Sequence, residues 1–204
     1  LSGVDADFGL NSSAGKSVKW RTVIGQQVVF GLLGLWTAMQ FDVWDVAILT
    51  PHWWVIVCGI ALGIGFIVLA ELASRLFPVT MDRIDQAMLQ IWSKVDVRWT
   101  PFTIVSLSVA AGVGEELLFR AAVQGVLVEY LPAGVALLLA SLLFGIAHWI
   151  SLGYVLVIAL LGFLFGVVFH LTGSLLLVII THIVYDLWAL RQLGDKLAEM
   201  RQAE

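Results

Sequence analysis

Glu115, Glu116 and Arg120 interrupt one long apolar stretch, AAGVGEELLFRAAVQ, and two later apolar stretches carry Phe144 with His148 and His182 with Asp186. Carboxylates and imidazoles are the side chains that take up, hold and return protons near neutral pH, so this set suits proton-transfer chemistry. In hydrocarbon, each charge costs ~2.5–3.5 kcal/mol even on the most lenient insertion scale. Glu116 and Arg120 stand i, i+4 in the favourable order, so they can neutralise each other, which leaves Glu115 as the unpaired carboxylate. His182 and Asp186 project from one helix face at the same spacing, as do Phe144 and His148. A Glu–Arg pair alone is adequately explained as a lock between helices. A lone intramembrane histidine is adequately explained as a satisfied interhelical hydrogen-bonder, the reading given to His170, while His52 reads as a loop residue. Two glutamates, an arginine and two histidines on three different helices need a further reason, because every added polar group adds insertion cost.

That these residues lie in lipid follows from composition. The chain has 204 residues, 60% of them hydrophobic and only 13% charged, with a mean hydropathy of +0.97. A soluble domain runs near ~45–50% apolar and ~25% charged. A water-soluble enzyme, a disordered regulator and a basic nucleic-acid binder are therefore excluded, and the fold class is an all-α polytopic membrane bundle. The net charge of −4 is too small to indicate a partner. The single cysteine, Cys58, allows no internal disulfide and no cysteine-based metal site, and it reads as buried and inert. Gly15-Lys16-Ser17 resembles the end of a phosphate-binding loop, but the spacing to Gly9 is wrong and no strand leads in. The first residue is Leu1 rather than Met, so a leader removed before it stays an open alternative.

About 20 apolar residues cross a hydrocarbon core ~30 Å thick. Apolar stretches near 22–41, 53–71, 101–127, 133–150, 154–171 and 174–190 predict about six transmembrane helices within a domain spanning 22–190. A flexible polar segment over 1–21 precedes it and a tail over 191–204 follows. Alternation places 1–21, 72–100, 151–153 and 191–204 on one side. Ten of the eleven Lys and Arg residues fall there: Lys16, Lys19, Arg21, Arg75, Arg83, Lys94, Arg98, Arg191, Lys196 and Arg201. The positive-inside bias puts both termini in the cytoplasm. Trp44, Trp53, Trp54, Trp92, Trp99, Trp149 and Trp188 lie near span ends, as interfacial anchors do. Met81, Ile84, Met88, Ile91 and Val95 recur at helical spacing opposite Asp82, Arg83, Asp85, Gln86, Gln90 and Lys94, which predicts an interfacial amphipathic helix over about 80–96. A plain connector and a substrate guide fit that helix equally well.

The eleventh basic residue is Arg120. At 1.5 Å rise per residue, Glu115 lies ~20 Å along its span from the cytoplasmic side and His182 ~12 Å along its own from the outside. His148 comes nearer the cytoplasmic surface, so the groups can share a cavity opening inward. Ala110, Ala111, Gly112 and Gly114, and Gly162 with Gly166, provide small-residue faces for close helix approach.

Three motifs in order, EExxxR at Glu115, Glu116 and Arg120, FxxxH at Phe144 and His148, and HxxxN/D at His182 and Asp186, resemble the CPBP (CAAX protease and bacteriocin-processing) family, which includes the type II CAAX prenyl endopeptidases. Their settings, EELLFR, SLLFGIAH and TGSLL, match as well, and the resemblance covers about 100–190. It implies an intramembrane glutamic endopeptidase acting on a membrane-tethered peptide or protein, with no cofactor. By motif position, Glu115 would be the base that activates water and His148 would help to hold that water. His182 and Asp186 match the pair on the oxyanion side, and Glu116, Arg120 and Phe144 would support them. A carboxylate shielded from water is a stronger base, which is compatible with that role. Asp186 departs from the Asn of the better-known type II CAAX proteases; an ionised Asp cannot donate to an oxyanion, so Asp186 is expected either to orient His182 or to favour its protonated form, with His182 the donor. Ala121 stands where Gly often follows the arginine.

Three rivals stay open on sequence alone. Glu115, His148 and His182 can supply three ligands to a divalent metal such as zinc, although no HExxH is present. A non-proteolytic scaffold or immunity protein can use the same cluster. A transporter or proton relay can too, although it lacks repeated halves. The expected location is an integral, multi-pass membrane protein, in the cytoplasmic membrane if prokaryotic, and no nucleic-acid partner is expected. Nothing distinguishes a prenylated substrate from a bacteriocin precursor.

Overall fold

The computed structural model describes residues 17–203. The expected polar segment over 1–21, with Lys16 and the Gly15-Lys16 turn, lies outside the described residues except for its last five positions. Helix α1 (Trp20–Gln40) is followed by a short 3-10 turn and α2 (Trp53–Leu76). Pro78 has no amide proton to continue α2, and it opens α3 (Pro78–Trp92). Helix α4 (Pro101–Glu116) runs into a π-helical segment, Leu117–Gln124, and then α5 (Gly125–Tyr130). Helices α6 (Ala133–Ala147), α7 (Leu152–Thr172) and α8 (Leu175–Ala203) complete the bundle.

Local chemistry explains several boundaries. Thr100 and Thr103 form a reciprocal capping box ahead of Pro101, with Thr103 N–H donating to Thr100 Oγ1 and Thr100 N–H to Thr103 Oγ1. Ser151 caps α7 by accepting from the Tyr154 amide. Gly173, at φ 61°, ends α7 in the left-handed conformation that favours glycine, and α8 begins two residues later. Five helical stretches among the described residues are long and apolar enough to cross a membrane: Trp20–Gln40, Trp53–Leu76, Pro101–Tyr130, Leu152–Thr172 and Leu175–Ala203. Their outward faces present Val29, Leu32, Val57, Ile64, Val68, Leu156 and Leu160, an apolar surface suited to lipid.

The fourth apolar stretch differs from expectation. Where 133–150 predicts a span, α6 has 15 residues, or ~22 Å. It stops because His148 leaves the helix at φ −100°, ψ 30°, with its Nδ1 2.8 Å from the Phe144 carbonyl. A helix of that length is shorter than a ~30 Å hydrocarbon core, and His148 stands just past its last residue.

Contacts remote in sequence agree with the one-sided distribution of basic residues. Val18 and Lys19 (β1) pair in parallel with Val95 and Asp96 (β2). Lys196, near the end of α8, pairs with Asp85 on α3, and Gly194 packs against the Trp99 ring. These contacts gather the start of α1, the long loop and the tail at one face. The pairing of Val95 and Asp96 also explains why the amphipathic helix covers 78–92 rather than 80–96.

Helices meet along glycines. Gly59 and Gly63 of α2 lie against Leu177, Ile180, Thr181 and Val184 of α8, and Thr181 Oγ1 donates to the Gly59 carbonyl at 3.2 Å. A Cβ at Gly63 would lie 2.6 Å from Val184 Cβ, whereas one at Gly65 meets nothing within 4 Å. Gly63→Ala is therefore expected to lower stability by about 1–3 kcal/mol and Gly65→Ala to leave it unchanged, read as thermal midpoints in detergent. Gly145 lies against Val155 and Ala159 in the same manner, joining α6 to α7.

Two residues outside the motifs, Cys58 and His170, fall differently from their sequence reading, while His52 lies in a loop as read. Cys58 is exposed on α2, facing outward rather than buried, because an all-round apolar helix gives no sign of which side faces lipid. His170 is exposed in the last turn of α7, and among the described residues its side chain makes no hydrogen bond across helices. His52 precedes α2 and stacks on Trp54, with ring centroids 6.1 Å apart.

Candidate active site

The junction of α4 with the π-helical segment places Glu115 and Glu116 next to each other and aims them at different partners. Both are buried, Glu116 completely. Glu116 Oε1 accepts from His182 Nδ1 at 2.7 Å, and its Oε2 lies 3.1 Å from Arg120 Nε. Arg120, 2% exposed, donates from Nη2 to the Gly162 carbonyl at 3.1 Å. Its guanidinium lies 4.4 Å from the centre of the Phe144 ring and 5.5 Å from that of Phe165, so two aromatic faces take part of the charge that water would otherwise solvate. A Cβ at Gly162 would collide with Phe144; glycine there admits both the ring and the arginine.

Glu115 is not the unpaired carboxylate that the spacing suggests. Its Oε1 accepts from Gln27 Nε2 of α1 at 2.8 Å. Its Oε2 lies 3.4 Å from His148 Nε2 and 3.9 Å from His182 Nε2. His148 Nδ1 faces a carbonyl, which only accepts, so that nitrogen carries a proton and Nε2 is left towards Glu115. His182 is fixed likewise, with Nδ1 on Glu116 and Nε2 towards Glu115 and Asp186. Both imidazoles therefore aim the same nitrogen at one carboxylate oxygen.

Asp186 Oδ2 lies 3.5 Å from His182 Nε2, a longer contact than the one from Glu116. Glu116, which reaches across from another helix with a carboxylate beside Arg120, holds the opposite nitrogen, Nδ1, at 2.7 Å, so the two carboxylates address different ring nitrogens of His182. Asp186 stands on the side of the ring that faces Glu115.

All seven motif residues, Glu115, Glu116, Arg120, Phe144, His148, His182 and Asp186, come together. Phe144 lies between Arg120 and His148, packing on His148 with ring centroids 4.7 Å apart and on Phe119 at 5.0 Å. The side chains of His148 and Asp186 are 27% and 20% exposed, against 6% for Glu115 and His182. The cluster is therefore open at His148 and Asp186 and closed at Glu116. Among the described residues, no group of three His, Cys, Asp or Glu side chains is disposed to hold a metal ion.

The sequence reading missed two participants. Gln27 is one of a Gln26-Gln27 pair in an otherwise apolar span, a polar signal that was available. Gln124 stands four residues after Arg120 and donates to the Gly166 carbonyl at 3.0 Å, repeating one turn further the arginine's contact with Gly162. Gly162 and Gly166 thus serve as acceptors as well as small residues.

Residues 97–188 match the family model described as type II CAAX prenyl endopeptidase Rce1-like. No curated protein and no solved structure matches the chain. The match covers every motif residue and leaves α1 to α3 outside it. With five helices able to span a bilayer, the chain is a multi-pass integral membrane protein.

Proposed function

We propose that this protein is an intramembrane endopeptidase in which Glu115 activates water to attack a peptide bond of a membrane-tethered substrate, a reading supported by the match of residues 97–188 to the Rce1-like model of type II CAAX prenyl endopeptidases. The observation that carries the reading is the convergence of His148 Nε2 and His182 Nε2 on Glu115 Oε2. A water lodged beside this oxygen has a carboxylate to take its proton and His148 to hold it. The attack moves that proton to Glu115, forms the bond from water oxygen to carbonyl carbon, and places negative charge on the carbonyl oxygen. His182, clamped through Nδ1 by Glu116 and Arg120, offers a proton from Nε2 to that oxyanion. Collapse of the tetrahedral intermediate breaks the C–N bond, and Glu115 returns its proton to the leaving amine. The partial exposure of His148 and Asp186 at the open side of the cluster supports access for water and for a peptide.

Asp186 is assigned to keeping a proton on His182 Nε2, a supporting electrostatic role. Asp186→Asn is therefore expected to retain activity within about tenfold, while His182→Ala loses about 10²–10³-fold, the scale of an oxyanion donor. Full activity in Asp186→Ala would remove this role. The reading as a whole is tested with farnesylated and unmodified membrane-tethered peptides, comparing wild type with Glu115→Ala before and after exhaustive chelation. Cleavage that requires Glu115 and survives chelation is expected. Cleavage lost on chelation and restored by zinc would replace water activation by Glu115 with a metal centre.

A further inference from the structure

Gln27 lies on α1, outside the segment that matches the family, yet its amide makes the one hydrogen bond to Glu115 Oε1, at 2.8 Å. We infer that Gln27 is a positioning residue for the proposed reaction: it pins Glu115 by one oxygen so that the other stays turned towards both histidines.

Three observations carry this. A carboxylate pivots about its terminal torsion, which is broad and two-fold, and no other hydrogen bond among the described residues holds Glu115 at Oε1. Without Gln27, the carboxylate plane would be free to turn to intermediate angles at which neither of its equivalent oxygens lies towards both His148 and His182. The approach of α1 is also specifically accommodated. Gly114, immediately before Glu115, lies against the backbone of Gln27 so closely that a Cβ there would run into the Gln27 carbonyl. Gly31 of α1 faces the Gly114 backbone, and Gly34 that of Leu117. This glycine seam brings the helices to a separation at which a glutamine side chain reaches the carboxylate. Finally, Gln27 Oε1 is buried and has no hydrogen-bond partner among the described residues. An apolar side chain would fill this place without desolvating that oxygen, so packing alone does not account for an amide here.

The inference rests on the proposed hydrolysis, and the experiment separates the two. Wild type, Glu115→Gln, Gln27→Met and Gln27→Ala would be assayed in phospholipid vesicles with the same farnesylated and unmodified tethered peptides. Thermal midpoints would be measured alongside. Methionine keeps the length and volume of glutamine and removes the donor. Gln27→Met and Gln27→Ala are expected to lower kcat alike, by about 10–100-fold, the scale of a hydrogen bond to a charged group, with KM little changed. Gln27→Met should keep the wild-type midpoint. A structural role would instead show Ala lowering the midpoint and Met restoring both midpoint and kcat. Wild-type kcat in Gln27→Met, with hydrolysis still dependent on Glu115, overturns the inference alone. Equal hydrolysis by wild type and Glu115→Gln overturns the proposed function and the inference with it.

Discussion

Glu115→Gln is expected to lower kcat by about 10²–10⁴-fold, the contribution of a positioned general base, while the protein stays folded. The amide has the shape of the carboxyl group and can still meet Gln27 and the histidines through its oxygen and nitrogen. It cannot take up the proton of an attacking water. The ion pair of Glu116 with Arg120 is untouched, so the insertion of α4 and the thermal midpoint should hold. Glu115→Asp is a useful companion. It retains a base, but its carboxylate is withdrawn by one methylene from contacts of 2.8–3.9 Å, and activity should fall between wild type and Glu115→Gln. These outcomes are read as kcat and KM on a tethered peptide. Unaltered kcat in Glu115→Gln would remove Glu115 from the chemistry.

The second large effect is on stability. Arg120→Met removes the cation beside Glu116, which is 0% exposed, and leaves a carboxylate with only His182 to share its charge. Breaking a buried pair by deleting one partner costs about 3–5 kcal/mol. Purified Arg120→Met is therefore expected to show a sharply lowered thermal midpoint and poor recovery as a monodisperse species. Glu116→Gln combined with Arg120→Met removes both charges and should recover most of the lost stability. Activity should not return with it, because His182 would then lack the ionised partner at Nδ1. Recovery of stability without activity would separate the structural cost of this ion pair from its part in setting the histidine. A wild-type midpoint in Arg120→Met would contradict the buried network.

What could be read from sequence was what depends on local pattern. The apolar stretches announce membrane helices, and basic residues at 19, 94, 98, 191 and 196 foretell which ends lie together, because both signals belong to single segments. The motif residues were visible as violations: carboxylates, an arginine and histidines have no place in lipid unless they meet. How they meet depends on which helices touch, and that is not a local property. The i, i+4 spacing suggested that Asp186 holds His182, but Glu116, 66 positions away, makes the shorter contact. Gln27 was passed over since its partner lies on another helix, although a glutamine among apolar residues is itself a violation. The early end of α6 could not be foreseen because Trp149 and Ile150 continue the apolar run beyond the point where His148 turns out. Nor did composition reveal the π-helical segment, whose consequence is that Arg120 and Gln124 both reach carbonyls of α7.

The central claim is that water activated by Glu115 attacks the peptide bond directly. One measurement tests it most directly: a single turnover of a membrane-tethered peptide in H2 18O, with product and enzyme peptides resolved by mass. The account predicts one heavy oxygen in the new carboxyl terminus of the product and none in the peptide containing Glu115. Heavy oxygen retained in Glu115 with an unlabelled first product would instead show covalent attack by the carboxylate and contradict the account.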